Sequence, residues 1–505
     1  MRLFLYIMAK ENDEQYSHVL KFTGLFGGVQ GLNVVIGLVR NKFVALLLGP
    51  EGMGLASLFQ TTVNFISQST NLGVSFSAVR NVSELFDTGD EARIAHFIKV
   101  VRAWSLLTGL VGMLLCILIG PLLSNLTFTW GDHTLHFVLL SPLVALLAVT
   151  GGETAILKGA RQLKSLAVIQ VYGMLSALVI AIPIYFFFGQ SGIVPVMVLM
   201  GLTMLLLTIQ RSYRIYPLRL AGAKGVLGEG MGMVRLGVAF TLAGVLGCGA
   251  EFVIRTYLNN VSDLETVGLY NTGYILTMTY AGLVFSAMET DFFPRLSAVN
   301  SQWQNCNDII NKQIEVSLLL ISPMLVAAQF AMPFVIPILF TTKFMPVVDM
   351  VRILLLAIYL RAIKLPVAYL PLAKGDSLSY LFLEAVYDIL VVLLVIWGYG
   401  EWQLLGTGVA ITISAFFDYF LLMGYTYLKY HYCPTFSVMK YSILHLSLGV
   451  VAFLLATFTD GWQWWIGGLL VFVITSAATL YTFYRKVALW NKLMSNLKRR
   501  FSRHG

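Results

Sequence analysis

Cationic side chains inside apolar segments are the groups of this sequence that could do chemistry, and Arg40 is the first of them. The apolar stretch around it ends at the turn 49–52, Gly-Pro-Glu-Gly, because proline and glycine stop a helix and set a tight reversal. Arg40 precedes Gly49 by nine residues, which at ~1.5 Å per residue is roughly 13 Å of helix. A hydrocarbon layer is ~30 Å thick, so Arg40 is predicted near its middle. A charge at that depth needs water or a counter-charge, which makes Arg40 a candidate functional residue.

The composition is that of a polytopic membrane protein. Of the 505 residues 58% are hydrophobic and only 12% are charged, and the mean hydropathy is +0.79. The apolar runs are continuous and lack the alternation of barrel strands, so they predict an all-α fold. About fourteen spans are expected. They are placed at 18–48, 53–79, 99–125, 135–157, 165–188, 192–215, 234–259, 267–293, 314–341, 346–372, 378–399, 404–430, 438–458 and 463–484.

Several classes of function lack their motifs. The apolar run 3–9 is too short for a signal-peptide core, so the first span is predicted to be an uncleaved anchor. The four cysteines lie far apart, which indicates neither a disulfide framework nor a metal site. The sequence has no phosphate-binding loop, no HExxH and no GxSxG. We therefore expect neither an enzyme nor a cofactor.

Basic residues are distributed unevenly between the two sets of predicted connections. One set includes both termini and carries nearly all of them: Arg80, Arg93, Lys158, Arg161, Lys164, Arg211, Arg214, Arg219, Lys224, Arg295, Lys364, Lys374, Lys429, Lys440 and the tail from Arg485 to Arg503. On the other side only Lys343 breaks the pattern. The positive-inside rule then predicts cytoplasmic termini. The basic tail is expected to rest on anionic lipid rather than on nucleic acid.

An internal repeat relates two halves of the chain. The pentad 51–55 (EGMGL) aligns with 265–269 (ETVGL), so that Gly54 matches Gly268. Lys158-Gly159 matches Lys374-Gly375 in nearly the same register. Six spans in each half give both halves one orientation, which is a transporter architecture. The predicted parts are two six-helix lobes at 1–216 and 231–432, a cytoplasmic linker at 217–230, a helix pair at 433–484 and a basic tail at 485–505.

These residues resemble the Wzx-type flippases of O-antigen and related polysaccharide synthesis, in the multidrug, oligosaccharidyl-lipid and polysaccharide exporter (MOP) superfamily that also holds MurJ and the MATE transporters. The resemblance covers spans 1 to 12 in order. The segments that carry the resemblance are 41–42, 49–55, 158–161, 294–297, 343–344 and 373–375, together with Glu384.

The resemblance implies a V-shaped bundle in the bacterial cytoplasmic (inner) membrane. It implies movement of an undecaprenyl-diphosphate-linked oligosaccharide (an O-antigen, enterobacterial-common-antigen-like or capsular repeat unit) from the cytoplasmic to the periplasmic leaflet. Alternating access would carry the cargo. Membrane lipids and a polysaccharide polymerase are candidate partners, and the protein is expected to work as a monomer.

Such a cargo needs cations for its diphosphate, and arginine suits diphosphate because its planar fork donates two hydrogen bonds at once. Arg40 is our first candidate, with bracing of the helices as the structural alternative. Lys42 is a second candidate whose long stem could instead reach the interface. Arg255 occupies the equivalent part of span 7, where Glu251 one turn earlier could neutralise it. Arg352 is also a candidate, although for it and for Arg102 an interfacial position is the favoured interpretation.

Acidic and polar side chains complete the candidate site. Asp388 and Asp418 lie near the centres of spans 11 and 12, and Glu384 lies one turn from Asp388. These acids are candidates for coupling a cation, with a structural hydrogen bond as the alternative. Sugar hydroxyls could meet a polar face of span 2, for which contact between helices is the alternative. That face consists of Gln60, Asn64, Gln68 and Asn71.

Two other functions remain open. A MATE-like exporter of small organic cations shares the fold; deep bases in span 1 argue against a cationic cargo, while Asp388 and Asp418 favour it. A membrane-embedded polysaccharide polymerase or ligase is the alternative from another class. It is disfavoured because no outer connection exceeds roughly a dozen residues.

Overall fold

The structure, a computed structural model, describes residues 2–218 and 226–486. Side chains are described from residue 31 onward, except at 33, 87, 226–227, 232–240, 283–284, 286–291, 294, 483 and 485–486. Within these ranges the chain is helical and has no strand, so the predicted all-α fold is confirmed. Part of the predicted linker (219–225) and the tail from 487 lie outside the described residues.

Fifteen helices follow one another in the described ranges. They are α1 (Arg2–Thr70), α2 (Val74–Thr88), α3 (Glu91–Thr127), α4 (Thr134–Gly159), α5 (Leu163–Phe188), α6 (Ile193–Ile215), α7 (Val226–Glu229), α8 (Met231–Val261), α9 (Leu264–Tyr274), α10 (Tyr280–Ala298), α11 (Trp303–Leu339), α12 (Val347–Ala373), α13 (Ser377–Tyr430), α14 (Phe436–Phe458) and α15 (Gly461–Lys486). A π-helical segment, Ile275–Thr279, joins α9 to α10.

Nine segments of the described chain are long and apolar enough to span a membrane. They are Val34–Thr70, Glu91–Thr127, Thr134–Gly159, Leu163–Ile215, Trp303–Leu339, Val347–Ala373, Ser377–Tyr430, Phe436–Phe458 and Gly461–Thr482. Two of them, with 53 and 54 residues, are more than twice the length of about 20 residues that one crossing needs. Each of these two segments is long enough for two crossings, and the count of fourteen stays a prediction.

Two of the long helices reverse at residues with non-helical backbone. Gly49 (φ 66°, ψ −172°) adopts a conformation that only glycine visits readily, which confirms the turn predicted there. In α13 the reversal lies at Trp402 and Gln403. Gly398 and Gly406 flank it so closely that a Cβ added to Gly406 would stand 1.7 Å from the Gly398 carbonyl oxygen. Glycine is needed there because two helix backbones touch.

The second predicted span is interrupted, and in this the prediction of one helix over 53–79 is wrong. α1 ends at Thr70, and Leu72 (φ 49°) and Gly73 (φ 71°) turn the chain before α2 begins at Val74. The carbonyl of Asn71 accepts the N–H of Val74 at 3.0 Å. Asparagine and glycine two positions apart favour such a turn, and the surrounding apolar pattern obscured it.

The glycines matched by the repeat lie against each other. A Cβ added to Gly54 would stand 2.0 Å from the carbonyl oxygen of Leu264, and one added to Gly268 would stand 1.9 Å from that of Pro50. Leu264 follows Pro50 by the same interval that separates Gly268 from Gly54. The contact is therefore reciprocal, as in a two-fold symmetric interface.

By its internal contacts the chain divides into two units. Unit 1 comprises 1–268 with 339–341, and unit 2 comprises 269–338 with 342–505. In unit 1 a core of buried side chains from α2, α3 and α4 surrounds Val101 and Ile156. In unit 2 the last two helices pack on α11 through Val326, Ala452 and Val471. The lobe boundaries predicted from the repeat stay a prediction.

Candidate functional site

Arg40 lies in α1, before the non-helical residue Gly49, and its depth in a membrane stays a prediction. Its side chain is half-buried. The guanidinium donates a weak hydrogen bond to the side-chain oxygen of Asn41 at 3.5 Å. Among the described residues no carboxylate forms a salt bridge with Arg40. The charge is thus held in the helix without an acidic partner in that part of the chain.

Lys42 is the second predicted cation of α1. It is also half-buried, and its ammonium donates to the main-chain oxygen of Phe340, a residue whose short segment groups with unit 1. The contact holds the lysine head at the end of α11, so the stem does not simply follow its own helix outward. Lys42 and Arg40 therefore differ, since a main-chain carbonyl just after the end of α11 engages the lysine.

Arg255 is almost completely buried in α8, with 3% of its surface exposed. Its Nε donates to the hydroxyl of Ser57 in α1 at 2.9 Å, and its Nη1 lies 3.3 Å from the carboxylate of Glu251. The pair with Glu251 has the geometry expected for positions i and i+4 of a helix. Arg255 thus bridges α8 to the second part of α1.

The polar face of α1 is present over three of its four predicted residues. Gln60 donates from Nε2 to Asn64 Oδ1 at 2.8 Å, one turn apart. The Gln68 amide lies over Gly244 of α8, with its nitrogen 2.7 Å from where a Cβ of that glycine would stand. Asn71 lies beyond the end of α1 and donates to Ser75 of α2 at 3.3 Å. Helical spacing therefore does not apply to Asn71.

Arg352 of α12, another residue predicted as a candidate for the site, lies in unit 2. It is 8% exposed, and its Nη1 lies 3.5 Å from Asp349 one turn earlier. Its Nε has no hydrogen-bond partner among the described residues. The main-chain oxygen of Arg352 accepts the amide of Gln329 of α11. This arginine thus has an acidic neighbour on its own helix.

The predicted acids of unit 2 lie beside bases of α12. Asp418 in the second part of α13 is 3% exposed and forms an ion pair with Lys364. Glu384 in the first part of α13 is half-buried and lies within electrostatic range of Lys364, Asp418 and Arg361. Asp388, one turn after Glu384, is 8% exposed. The three acids predicted from the sequence are therefore in one unit, and a lysine pairs with one of them.

Arg361 and Lys364 are the basic residues of this cluster, and the sequence reasoning missed both. Lys364 is predicted in a connection, yet it lies inside α12, nine residues before Ala373. Arg361 donates from Nη1 to the main-chain oxygen of Met278 at 3.2 Å, inside the π-helical segment. A signal existed: the two bases are three positions apart and so share a face of one apolar helix.

Arg102 of α3, predicted at an interface, is clamped inside unit 1. Its guanidinium binds the Glu153 carboxylate of α4 with two contacts, Nε–Oε1 at 2.7 Å and Nη2–Oε2 at 3.2 Å. Nη2 also donates to the main-chain oxygen of Tyr216 at 2.9 Å, just after α6. Glu153 is 2% exposed. A buried acid of α4 thus holds Arg102, and its position relative to a membrane interface stays a prediction.

A histidine in the turn before α4 lies in an aromatic box. The ring of His133 is 4.1 Å from that of Phe128, 5.0 Å from Trp130 and 4.9 Å from His136, centroid to centroid. Burial lowers the pKa of His133, and the charge of His136 adds to this, while Asp132 acts in the opposite direction. The imidazole of His133 is thus held in its neutral form more strongly than in water.

The described residues contain no group of three or more histidine, cysteine or acidic side chains placed to hold a metal ion. All four cysteines are free, in a part of the chain that the structure describes.

A family model describing polysaccharide biosynthesis proteins matches residues 43–349, more than half of the chain. The chain belongs to this family. The match begins three residues after Arg40, covers the Gly54–Gly268 contact and ends at Asp349. A comparison with curated proteins found no match.

Solved structures with the same fold are membrane transporters. The lipid II flippase MurJ in an inward closed conformation has 14% sequence identity and a TM-score of 0.68, over 93% of this chain and 99% of that chain. An inward-facing multidrug resistance MATE family transporter of the MOP superfamily has 15% identity and a TM-score of 0.65, over 81% and 96%. A MOP superfamily transporter from Pyrococcus furiosus has 13% identity and a TM-score of 0.60, over 81% and 96%. The predicted fold class is thereby confirmed, and this family member is a multi-pass membrane protein.

Proposed function

We propose that this protein is a flippase that carries a polyprenyl-diphosphate-linked oligosaccharide from the cytoplasmic to the periplasmic leaflet of a bacterial inner membrane. The cargo crosses unchanged, so the protein is a transporter and not an enzyme. Membership of the polysaccharide biosynthesis family supports the class of cargo, and the likeness to MurJ and MATE structures supports a transport cycle with alternating access.

The observation that carries the proposal is the state of Arg40. It lies mid-helix, half-buried, without a salt bridge to any carboxylate of the described chain. A guanidinium in a membrane segment needs an anion or water, and a diphosphate supplies an anion of matching geometry. Arg255 and Arg352 each have an acid on their own helix, at 3.3 Å and 3.5 Å. Arg40 is therefore the base we assign to the diphosphate.

Other predicted residues have supporting roles in this proposal. Lys42 adds positive charge beside Arg40, and its present carbonyl partner can be exchanged for a phosphate oxygen because an ammonium has three donors. Gln60, Asn64 and Gln68 offer amides to sugar hydroxyls, with Asn71 at the helix end. Arg255 of the same unit serves as a positioning charge, while Arg352 of unit 2 stays a candidate from the sequence. The proposal also covers topology and partners. Both termini lie in the cytoplasm in this proposal, and the working unit is a monomer. A polysaccharide polymerase receives the translocated oligosaccharide.

Export of small organic cations is the second candidate, favoured by the likeness to a MATE transporter and by the acids of unit 2. Two bases, Arg361 and Lys364, lie beside those acids. These bases compensate two of the three acids, so the cluster offers a cationic cargo at most one uncompensated negative charge. The anionic cargo is therefore the function that the described residues favour.

The test uses a strain that lacks the gene and carries a plasmid copy. Loss of the protein should trap lipid-linked oligosaccharide in the cytoplasmic leaflet, measured by its resistance to a membrane-impermeant glycan-modifying reagent. Arg40→Ala should leave it trapped, and Arg40→Lys should restore only part of the movement because the bidentate fork is lost. Arg80→Ala is the matched control, since Arg80 is exposed and pairs with Glu84.

Each strain needs equal amounts of inserted protein, measured in isolated membranes. Normal glycan display from cells with Arg40→Ala would remove Arg40 from the site. Normal leaflet distribution in the deletion strain would contradict the flippase itself.

A further inference from the structure

Five charged side chains surround one tyrosine between α12 and the two parts of α13. The Lys364 ammonium lies 4.5 Å from the centre of the Tyr387 ring. Arg361, Asp418, Asp388 and Glu384 all lie within electrostatic range of the Tyr387 hydroxyl. Among the side chains that the structure describes here, two bases thus lie near three acids, so these five groups carry one excess negative charge when all are ionised. A membrane-embedded site with that excess is suited to binding one monovalent cation.

The partners of the two bases show that neither base binds Glu384 directly. Lys364 is committed to Asp418, and both are largely buried, with 19% and 3% of their side chains exposed. Arg361 is committed to the main-chain oxygen of Met278 and lies 5.8 Å from the centre of the Phe285 ring. Glu384 has neither a hydrogen bond nor a salt bridge to any side chain that the structure describes. The side chains of Glu289 and Asp291 in α10 are outside that part.

We propose that Glu384 binds and releases a proton, and that the Lys364–Asp418 pair senses its charge. An ionised Glu384 competes with Asp418 for the Lys364 ammonium, because both carboxylates lie within its electrostatic range. A proton on Glu384 ends that competition and leaves Lys364 with Asp418. Glu384 and Asp418 lie on either side of the Trp402–Gln403 reversal, so the lysine has two alternative partners on two helices. The two states are Lys364 paired with Asp418 and Lys364 paired with Glu384. Binding of a proton to Glu384 favours the first of them.

A proton fits this site better than a sodium ion does. A metal cation needs several oxygen ligands, whereas a proton needs one carboxylate oxygen. The position that a monovalent metal would take on Asp418 is held by the Lys364 ammonium. A metal ion at Glu384 would also stand within range of two fixed positive charges, Lys364 and Arg361. The role of this proton in driving transport rests on the proposed flippase function. The binding of a proton at Glu384 does not depend on that function.

The experiment is infrared difference spectroscopy of the full-length protein in lipid vesicles, between mildly alkaline and mildly acid pH, without any cargo. The wild type should gain a carboxylic-acid carbonyl band on acidification. Glu384→Gln should lose that band. Glu401→Gln is the matched control, because Glu401 is an exposed glutamate at the reversal of the same α13, and it should keep the band. Retention of the full band in Glu384→Gln would overturn the proposal.

Glu384→Asp covers the case in which Glu384→Gln does not insert. It keeps a carboxyl group on a side chain one methylene shorter, which changes its distance from the neighbouring charges. The pH midpoint of the band should therefore shift relative to the wild type, and an unchanged midpoint would overturn the proposal. Replacing K⁺ by Na⁺ at constant ionic strength should leave the wild-type thermal midpoint unchanged. Stabilisation by Na⁺ that disappears in Glu384→Asp would assign the site to sodium instead.

This outcome is separable from that of the proposed function, because the band is measured without cargo. A flippase that fails the infrared test would still translocate by another driving force. A proton site that passes in a protein with no flippase activity would leave the cargo assignment wrong.

Discussion

The backbones of Gly54 and Gly268 lie against each other, with the helix of each glycine in the space that a Cβ of the other would fill. The same two glycines are the central residues of the repeat seen in the sequence. Gly54 contacts Leu264 and Gly268 contacts Pro50. The residues matched by the repeat are therefore the point at which the two helix backbones come close together. Any side chain larger than hydrogen is therefore excluded from both positions.

Gly268→Ala should destabilise the protein. Its Cβ would stand 1.9 Å from the Pro50 carbonyl oxygen, and since the obstacle is backbone, the helices must separate. Overpacking of this kind costs about 1–3 kcal/mol or more. The measurement is the thermal unfolding midpoint of the purified protein in detergent. Gly400→Ala, in α13 with nothing within 4 Å of its Cβ, is the control and should be neutral or slightly stabilising. Equal midpoints for both variants would refute the close contact.

Glu153→Ala should be one of the most destabilising single changes in unit 1. It leaves the Arg102 guanidinium, 10% exposed, without the carboxylate that binds it twice. Removing one partner of a buried pair costs about 3–5 kcal/mol. Glu84→Ala is the matched control, because its pair with Arg80 is 60% exposed on the glutamate side and such pairs contribute about 0–1 kcal/mol. Chemical unfolding of both variants checks this, and a small loss in Glu153→Ala would mean that water reaches Arg102.

The Lys364–Asp418 pair predicts a rescue. Lys364→Met alone leaves a 3%-exposed aspartate without its cation and should lower stability by about 3–5 kcal/mol. Adding Asp418→Asn should recover most of that loss, because an amide is less costly to bury than an unpaired charge. The unfolding midpoints of the two variants, compared with Asp418→Asn alone, give the coupling between the residues. Additive losses would show that the two side chains do not interact.

Acidification should destabilise the protein through His133. Its pKa is lowered in the folded state by burial first and by His136 second, with Asp132 opposing. As the pH falls below about 6.5, the histidine of the unfolded chain takes up a proton before that of the folded chain does. The contribution of His133 to the free energy of unfolding is therefore complete above that pH and declines below it, until the folded histidine is also protonated. Thermal midpoints measured across this range should fall less for His133→Gln than for the wild type. His431→Gln, at an exposed position, should follow the wild type. Parallel pH profiles for His133→Gln and wild type would contradict the prediction.

Sequence reasoning placed candidate residues better than it placed their partners. Asp388, Asp418 and Glu384 are deep in apolar helices, and depth follows from counting along a helix. Lys364 was misplaced into a connection because a lysine near a span end is usually a boundary signal. The carboxylate that binds Arg102 was likewise not foreseen. In both cases the acid that holds the base lies about fifty residues away along the chain, Asp418 for Lys364 and Glu153 for Arg102.

The sequence by itself determined the membrane class, the helical fold and the turn at Gly49, because hydropathy, helix period and the conformational limits of proline and glycine are local properties. It also determined the register of the repeat through Gly54 and Gly268. Only the tertiary structure decided that these glycines touch, that Lys364 pairs with Asp418 and that Arg40 has no salt bridge in the described chain. The physical reason is that pairing between helices depends on which faces meet, and a charge costs or contributes free energy according to that neighbour rather than to its own segment.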